Sequence, residues 1–341
     1  MNKVDWTLIN FPLSLAPMVG LSHIVLREII QSYMPADALT IWPSEMLNSR
    51  RVPGENLATT PETLKLANET YYVPQILGNE EKPIQETIKK LQQWGAHGID
   101  INMGCPVQKA LKHNYGVALM GDIEYAAGVV RMAAESSVLP VSVKLRAIES
   151  QQSDVDLIRF VGRLIEAGAG WICLHPRVPS QQRRGVADWE QIKLLKQAVN
   201  VPIIGNGDIQ TAADVWRMKN QTGCDLVMAG RALAARPWMA AQIADDMGFN
   251  VGFVPRTKQE EGHEYGLCLL KFIQLSRKYF GESLALRKIN FYLRMTTPWL
   301  EFGHSLIGLG HKAKSTQELE MNVIDFFKYN HQMSERTELR L

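Results

Sequence analysis

The chain has 341 residues, of which 46% are hydrophobic and 21% are charged, and its formal net charge is +2. These values are ordinary for a globular protein and leave room for one large domain and a smaller one. No apolar run reaches the roughly 18 residues that a transmembrane helix needs, and the N-terminus lacks the basic and apolar regions of a secretory signal. We therefore expect a cytoplasmic protein with no membrane partner.

The four cysteines lie far apart, at Cys105, Cys173, Cys224 and Cys268, and none belongs to a C-x-x-C pair. This spacing indicates neither a zinc site nor a disulfide framework, so we expect reduced thiols and no metal. From Arg256 onward, 13 lysines and arginines outnumber 10 acidic residues. A weakly basic C-terminal region is compatible with an RNA partner and, more commonly, with an ordinary solvated surface.

Short apolar runs alternate with segments of helical period along most of the chain. The predicted strands are Leu13–Pro17, Ala38–Trp42, Tyr72–Leu77, Gly98–Asn102, Val141–Arg146, Trp171–His175, Val201–Gly205 and Asp225–Ala229. The predicted helices between them include Ile84–Trp94, just after Pro83, and Ile123–Ala134, Asp154–Ala167, Trp189–Ala198 and Ala212–Lys219.

Several predicted strands are apolar without alternation, which is typical of parallel strands covered on both faces. Eight β-then-α units over about 240 residues predict an α/β fold, a TIM (β/α)8 barrel, with an open doubly wound sheet as the alternative. After about Gly248 the segments Tyr265–Phe280, Ser283–Met295 and Thr316–Tyr329 have the period of amphipathic helices. We predict a barrel domain over residues 1–248 and a small all-α helical domain over residues 249–341.

Active-site groups of a TIM barrel lie at the C-terminal ends of its strands. That rule selects polar residues at or just after the predicted strands: Glu45, Gln75, Asn102, Lys144, Arg146, His175 and Arg177. The loops after the last two strands contain Gly205, Gly207 and Gly230, which permit close backbone approach, and Arg231 adds a charge. We predict a phosphate site in these loops, while noting that tight βα turns favour glycine without any ligand.

Three of the candidate residues allow several roles. Lys144 could stabilise an anionic cofactor ring or form a Schiff base, as in a flavin-free aldolase. His175 could be a general base, a metal ligand, a donor to a ring or a structural histidine. Cys105 lies in a loop, whereas the other three cysteines lie in predicted packing positions. In such a loop a cysteine can serve as a nucleophile or, if protonated, as a general acid.

Several motifs, in this order and spacing, resemble those of the tRNA-dihydrouridine synthases over roughly Ser14 to Trp238. The matching segments are Ala16-Pro17-Met18, Ser44-Glu45-Met46, Asn102-Met103-Gly104-Cys105-Pro106 with Lys109, Val143-Lys144-Leu145-Arg146, His175-Pro176-Arg177, Arg184-Gly185-Val186-Ala187-Asp188-Trp189, Gly205-Asn206-Gly207-Asp208-Ile209 and Met228-Ala229-Gly230-Arg231-Ala232. The resemblance implies a flavoprotein oxidoreductase that reduces a uridine of tRNA, in the D-loop, with NADPH or NADH as reductant.

Site roles follow from the same resemblance. It implies that FMN contacts Pro17, Met18, Gln75, Lys144, His175, Asn206, Asp208, Gly230 and Arg231. It also implies that Cys105 donates a proton and that Asn102 and Arg177 hold the uridine. We expect further substrate or tRNA contacts from Glu45, Lys109, Arg146, Arg183, Arg184, Arg287, Lys288 and Arg294. The helical domain would help to hold the tRNA, and we expect the chain to act as a monomer.

The implied reaction is chemically consistent. Saturating the 5,6 double bond of uracil needs a hydride at C6 and a proton at C5, and a cysteine thiol of ordinary pKa carries its proton at neutral pH. The uridine must leave its stacking to reach the barrel mouth. Two alternatives remain: an FMN barrel that acts on a free pyrimidine, like the dihydroorotate dehydrogenases, and a non-catalytic RNA-binding barrel.

Overall fold

The computed structural model describes residues 3–67, 69–107, 111–182 and 184–338. Its strands are β1 Leu13–Leu15, β2 Trp42–Pro43, β3 Leu47–Asn48, β4 Tyr72–Val73, β5 Gln75–Leu77, β6 Ile99–Met103, β7 Val141–Arg146, β8 Ala169–His175, β9 Ile203–Asn206 and β10 Leu226–Ala229. These strands pair in parallel in the order β1-β10-β9-β8-β7-β6-β5-β3, and β2 pairs with β4. The arrangement confirms the predicted TIM barrel.

The barrel closes between β1 and the segment that precedes β2. Ser14 Oγ donates to the Ile41 carbonyl at 2.7 Å, and Thr40 Oγ1 donates to the Leu13 carbonyl at 2.7 Å. The backbone N–H of Phe11 donates to the Leu39 carbonyl at 3.2 Å. These bonds join β1, one edge of the eight-stranded sheet, to the segment before β2 through side chains and single backbone contacts, in place of a regular ladder.

Prolines interrupt strand positions two and three. Pro43 ends β2, and Pro74 separates β4 from β5; neither residue has an N–H to donate to a ladder. The predicted strand Ala38–Trp42 was wrong in its bounds, because the segment before Trp42 is bonded through side chains and the ladder continues at Leu47–Asn48. The other predicted strands agree with the observed ones to within two residues at each end.

The helices are α1 Ile24–Gln31, α2 Glu81–Gln93, α3 Ile123–Glu135, α4 Ser153–Glu166, α5 Trp189–Ala198, α6 Ala212–Thr222, α7 Arg231–Ala235, α8 Met239–Asp246, α9 Lys258–Tyr279, α10 Glu282–Thr296, α11 Gly303–Lys312 and α12 Thr316–Phe326. Pro83 lies inside the first turn of α2, where its missing N–H would have no helical partner. Thr257 and Glu260 form a capping box that starts α9 earlier than predicted. Among the described helices, none is both long and apolar enough to cross a membrane.

Residues along the strands alternate between two apolar environments. One face packs against the helices, and the other faces the barrel interior, where Trp171, Cys173, Ile204 and Met228 form a second core. At the end where the strands begin, Trp6 packs edge-on against Trp171 with ring centroids 5.7 Å apart. The N-terminal segment therefore closes that end of the barrel, and the opposite end forms its mouth.

The helices α9 and α10 pack directly against the barrel, and α11 and α12 pack on these two helices. The Tyr292 hydroxyl on α10 donates to the Ala234 carbonyl of α7 at 2.9 Å, and the Tyr33 hydroxyl donates to Glu264 of α9. At the mouth, Phe291 covers Gly20, where an added Cβ would lie 2.8 Å from the ring and where φ is +84°. Gly20 is thus required both by its left-handed backbone and by the close approach of α10.

Gly262 on α9 packs against backbone, so a side chain at this position should destabilise the protein. An added Cβ would lie 2.0 Å from the His331 carbonyl oxygen, and Met333 N donates to the Lys258 carbonyl at 2.9 Å in the same contact. We expect Gly262→Ala to lower the free energy of unfolding by about 2–3 kcal/mol, measured by urea denaturation.

Gly128 is the matched control, because it lies within α3 and a Cβ there meets nothing within 4 Å. We expect Gly128→Ala to stabilise the protein by about 0.5–1 kcal/mol. Equal effects of the two substitutions would contradict the contact between α9 and the C-terminal segment.

Candidate active site at the barrel mouth

The register of β5, β6 and β7 brings polar side chains into two rows inside the barrel. Gln75, Asp100 and Ser142 pair across the three strands in the deeper row, and Asn102 pairs with Lys144 in the row nearer the mouth. On β6 the polar residues alternate with apolar residues that face the helices. Because side chains on a strand alternate between its faces, Asp100 and Asn102 both point into the barrel.

A continuous set of hydrogen bonds joins the two rows. Ser142 Oγ donates to Asp100 Oδ1 at 2.6 Å, and Gln75 Nε2 donates to Asp100 Oδ2 at 2.7 Å. Asn102 Nδ2 donates to Gln75 Oε1 at 2.7 Å. Burial raises the pKa of Asp100, while the hydrogen bonds from Ser142 and Gln75 and the charge of Lys144 act to lower it. The three carboxyl and amide side chains therefore form one buried network.

Cys105 lies in the loop after β6, and its backbone is fixed on both sides. Asn102 Oδ1 accepts from the N–H groups of Gly104 at 3.2 Å and Cys105 at 2.9 Å. The Cys105 carbonyl accepts from Val117 N at 3.1 Å, and Arg146 Nε donates to the Gly104 carbonyl at 2.9 Å. All four cysteines are free thiols; Cys105 is half-buried, while the other three are buried as predicted.

Lys144 projects from β7 toward the end of β9. Its Nζ donates to Asn206 Oδ1 at 3.1 Å, and Asn206 Nδ2 donates to the Met228 carbonyl at 2.7 Å. The amide direction of Asn206 is therefore fixed, with its oxygen toward the ammonium group. The pair places a positive charge among the strand ends, as the sequence predicts for Lys144.

His175 ends β8 in a strongly cationic environment. Burial lowers the pKa of His175 well below its ordinary value, and the charges of Lys144, Arg146, Arg177 and Arg231 lower it further. Arg177 Nη1 lies 3.1 Å from His175 Nε2. Because a guanidinium can only donate, Nε2 accepts, and the neutral ring carries its proton on Nδ1. His175 thus offers an N–H donor, which argues against a general base or a metal ligand.

Arg177 and Asp208 hold two loops of the mouth together. Arg177 donates to Asp208 and, at 2.7 Å, to the Gly185 carbonyl. Ala187 N donates to the other oxygen of Asp208 at 2.6 Å. Asp208 lies in the left-handed region with φ 58°. Both of its oxygens are thus engaged within the protein, so it supports the loop in addition to any cofactor contact.

The three glycines of the predicted phosphate loops differ in the structural reason for having glycine at that position. A Cβ at Gly205 would lie 2.6 Å from Met218 Sδ, and one at Gly207 would lie 2.8 Å from Ala187 Cβ. A side chain at Gly205 would displace the flexible end of Met218, whereas Gly207 combines the close approach to Ala187 with a positive φ of +114°. Gly230 differs, because its nearest neighbour is Met18 Sδ at 3.3 Å, in the loop after β1. Of the three, Gly230 retains the clearest case for backbone approach to a ligand.

A cleft of about 1140 Å³ adjoins the mouth next to Arg177. Its basic lining residues include Arg184, Arg217 and Arg336, and Asp208 belongs to the same lining. Arg336 Nη2 donates at 2.6 Å to Asp214. The segment that follows α12 thus forms one wall of the cleft, a contribution that the sequence did not predict.

Several predicted site residues lie apart from the side chains at the strand ends. Arg287 and Arg294 are exposed on α10, and Arg184 is exposed at the rim. Lys109 and Arg183 lie outside the described residues. Asp100 and Ser142 were missed by the strand-end rule, although the polar residues at positions 100 and 102 within an apolar strand were a usable signal.

A family model described as "Dihydrouridine synthase (Dus)" matches residues 14–292. The chain belongs to the dihydrouridine synthase family. Three similar proteins are each named "Probable tRNA-dihydrouridine synthase". The protein of Rhizobium leguminosarum bv. phaseoli is 28% identical over 84% of this chain and 86% of its own length. That of Rhodobacter capsulatus is 31% identical over 84% and 86%, and that of Mycobacterium tuberculosis is 32% identical over 91% and 80%.

In this dihydrouridine synthase family member, the matched region extends from β1 into α10, which contacts the barrel mouth. Lys288 of α10 donates to Glu45 Oε1 at 3.1 Å, and Gly20 N donates to Glu45 Oε2 at 2.8 Å. The side chains of Lys288 and Glu45 are only 12% and 1% exposed. Both were predicted to contact substrate or tRNA; the geometry gives them the further task of docking α10 on the mouth.

Removal of Lys288 should leave Glu45 as an uncompensated buried charge. We expect Lys288→Met to cost about 3 kcal/mol of stability near pH 8. Burial already raises the pKa of Glu45, and Lys288 opposes that rise. Without Lys288 the pKa rises further, so the folded state takes up a proton before the unfolded state does as the pH falls. The stability deficit should therefore shrink between pH 8 and pH 5, as measured by urea unfolding.

Arg287→Met is the control, because Arg287 is the exposed neighbour of Lys288 on the same helix. We expect its effect to stay within about 0.5 kcal/mol at every pH. A Lys288→Met deficit independent of pH would count against the buried ion pair.

Proposed function

We propose that the chain reduces uridine in tRNA to 5,6-dihydrouridine, with FMN as its flavin and NADPH or NADH as the electron source. The observation that carries the proposal is Cys105, a half-buried thiol in a loop that Asn102 and Arg146 fix to the barrel mouth. Family membership and the names of the similar proteins support the same reaction.

The residues of the mouth fit an anionic flavin nucleotide. Burial lowers the pKa of His175, and four cationic side chains lower it further. A phosphate or an electron-rich ring would compensate their charge. The residues that would hold FMN are Pro17, Met18, Gln75, Lys144, His175, Asn206, Asp208, Gly230 and Arg231. Bound and reduced, FMN would supply the hydride that C6 of uracil receives.

The side chains of the protein supply the remaining chemistry. Cys105 donates the proton that C5 receives, as a general acid held in place by its fixed loop. Asn102 and Arg177 hold the uracil, which must first leave its stacking in the tRNA. Lys144 and the neutral His175 present N–H donors at the strand ends, where they stabilise negative charge without taking up a proton.

Exposed arginines would hold the tRNA backbone. Arg184 lies at the rim of the cleft, and Arg287 and Arg294 lie on α10, the helix that touches the mouth through Lys288 and Phe291. Phosphate contacts of this kind release counterions, so binding should weaken as salt rises.

The role of Cys105 has a direct test. We expect Cys105→Ala to retain bound flavin, measured by its visible absorbance, and to lose turnover on unmodified tRNA by about 10²-fold or more. Cys268→Ser is the control, since Cys268 is buried on α9 beside Tyr33 and should keep near-normal turnover. Near-normal turnover of Cys105→Ala would remove Cys105 from the mechanism.

The substrate class is tested separately. The proposal expects dihydrouridine to form in unmodified tRNA, detected by mass spectrometry of nucleosides, and expects free uracil and free uridine to react at least about 100-fold more slowly, since they lack the phosphate contacts. Comparable rates on the free compounds would favour a free-pyrimidine reductase. A colourless protein that binds tRNA without turnover would favour a non-catalytic RNA-binding barrel.

A further inference from the structure

We propose that Asp100 is a positioning residue that sets the direction of the Gln75 and Asn102 amide groups, and thereby the hydrogen-bonding group that Asn102 presents at the mouth. Its effect on turnover rests on the proposed function. Its effect on the conformation of the Cys105 loop does not, because that network lies entirely within the protein.

The direction of both amides follows from the chemistry at the two ends of the network. Both oxygens of Asp100 accept, one from Ser142 Oγ and the other from Gln75 Nε2, so Gln75 turns its NH₂ group toward Asp100. Gln75 then turns its oxygen toward Asn102, which must answer with its own NH₂ group. At the other end, two backbone N–H groups of the loop can only donate, and they meet the Asn102 oxygen. Asp100 at one end of the network and the backbone N–H groups at the other therefore require the same orientation of the two amides.

Asp100 is the fixed end of this network. It lies on β6 between β5 and β7, in register with Gln75 and Ser142, whereas the two backbone donors belong to the loop that carries Cys105. A buried carboxylate costs free energy, and an apolar residue would fill this layer at a lower cost. Orientation of the amides gives this position a reason to carry a hydrogen-bond acceptor.

The network also limits what Asn102 can offer to a ligand. The oxygen of its amide has two lone pairs, and both are engaged by the N–H groups of Gly104 and Cys105. One of its two N–H groups is bonded to Gln75. What remains is a single N–H donor. Asn102 is therefore suited to a carbonyl oxygen of uracil and is mismatched to an amino group, such as the one that cytosine carries at C4.

Asp100→Leu removes the acceptor at similar size, and Asp100→Asn keeps an acceptor for Gln75 and serves as the conservative variant. Ser142→Ala is the matched control, because it removes the other bond to Asp100 and leaves the Gln75 contact intact. The readout is alkylation of Cys105 by iodoacetamide, followed by peptide mass spectrometry, without flavin or tRNA. The other three cysteines are buried, so the native protein should react at Cys105.

We expect Asp100→Leu to raise the alkylation rate of Cys105 by about threefold or more, because the loop loses its fixed anchor. It should also lower kcat by about tenfold or more, with a smaller change in KM for tRNA. Ser142→Ala should leave the alkylation rate of Cys105 close to that of the wild type, and Asp100→Asn should recover most of what Asp100→Leu loses in both measurements. Wild-type alkylation and kcat in a folded Asp100→Leu protein would overturn the proposal.

A reversal of the network keeps the proposal testable if Asp100→Leu fails to fold. In Asn102→Asp, Gln75 must turn its NH₂ group toward position 102, and its oxygen then faces the Asp100 carboxylate. Adding Asp100→Asn supplies a donor there, so the double variant contains a complete network of opposite direction. We expect the double variant to regain the melting temperature and Cys105 alkylation rate that Asn102→Asp loses, as a coupling in a double-mutant cycle.

Turnover should not return in the double variant, because a carboxylate at position 102 has no N–H to donate. Independent, additive effects of the two substitutions on melting temperature and alkylation would overturn the proposed network. Recovery of turnover along with stability would overturn the role of Asn102 as a donor. If the wild type itself failed to reduce tRNA, the proposed function would fall, while melting and alkylation would still decide the network.

Discussion

The register of β6 between β5 and β7 is the constraint on which the site depends. It aligns Gln75, Asp100 and Ser142 in one row and Asn102 with Lys144 in the next. A slip of one residue would turn Asp100 and Asn102 toward the helices and bring apolar side chains into the barrel. The apolar residues of β6, packed against the helices, therefore fix the positions of the polar ones, and the Cys105 loop starts from a defined point.

The mouth is held together by bonds between successive loops. Arg146 joins the Cys105 loop to the loop after β8 through the Gly104 and Gln182 carbonyls, both at 2.9 Å. Arg177 joins that second loop to Asp208 after β9. Arginine suits this task because its planar group donates in several directions at once and stays charged when buried. Burial lowers the pKa of His175, and the charges of these two arginines lower it further.

Much of this architecture could be predicted from the sequence, because parallel strands covered on both faces appear as apolar runs. Val141–Arg146 and Trp189–Ala198 were predicted with their observed bounds. The second strand was misplaced because its closure uses the side chains of Ser14 and Thr40. Helix α7 has no amphipathic period, since four of its five residues are buried. Such features depend on tertiary contacts that local patterns do not contain.

The candidate site, too, was only partly predictable from the sequence. The strand-end rule selected Asn102, Lys144 and His175, because it needs only the strand boundaries and the residue types. The pairing of Glu45 with Lys288 joins residues 243 positions apart, and no local pattern relates them. From its charge alone, Lys288 was predicted to contact a phosphate of the tRNA. Its burial against Glu45 depends on how α10 packs on the barrel, which the local sequence does not show. The cofactor and substrate assignments stay predictions, since they concern molecules outside the chain.

The closed end of the barrel has a consequence for the order of events. Trp6 seals the floor beside Trp171, and apolar side chains fill the interior above it. Along the described chain, the strand ends are then approached from one side only. Under the proposed function, the nicotinamide donor and the tRNA would have to share a single entrance. Each would exclude the other while it occupied the mouth. The two substrates would then bind in turn, with the product tRNA leaving before the next reductant binds.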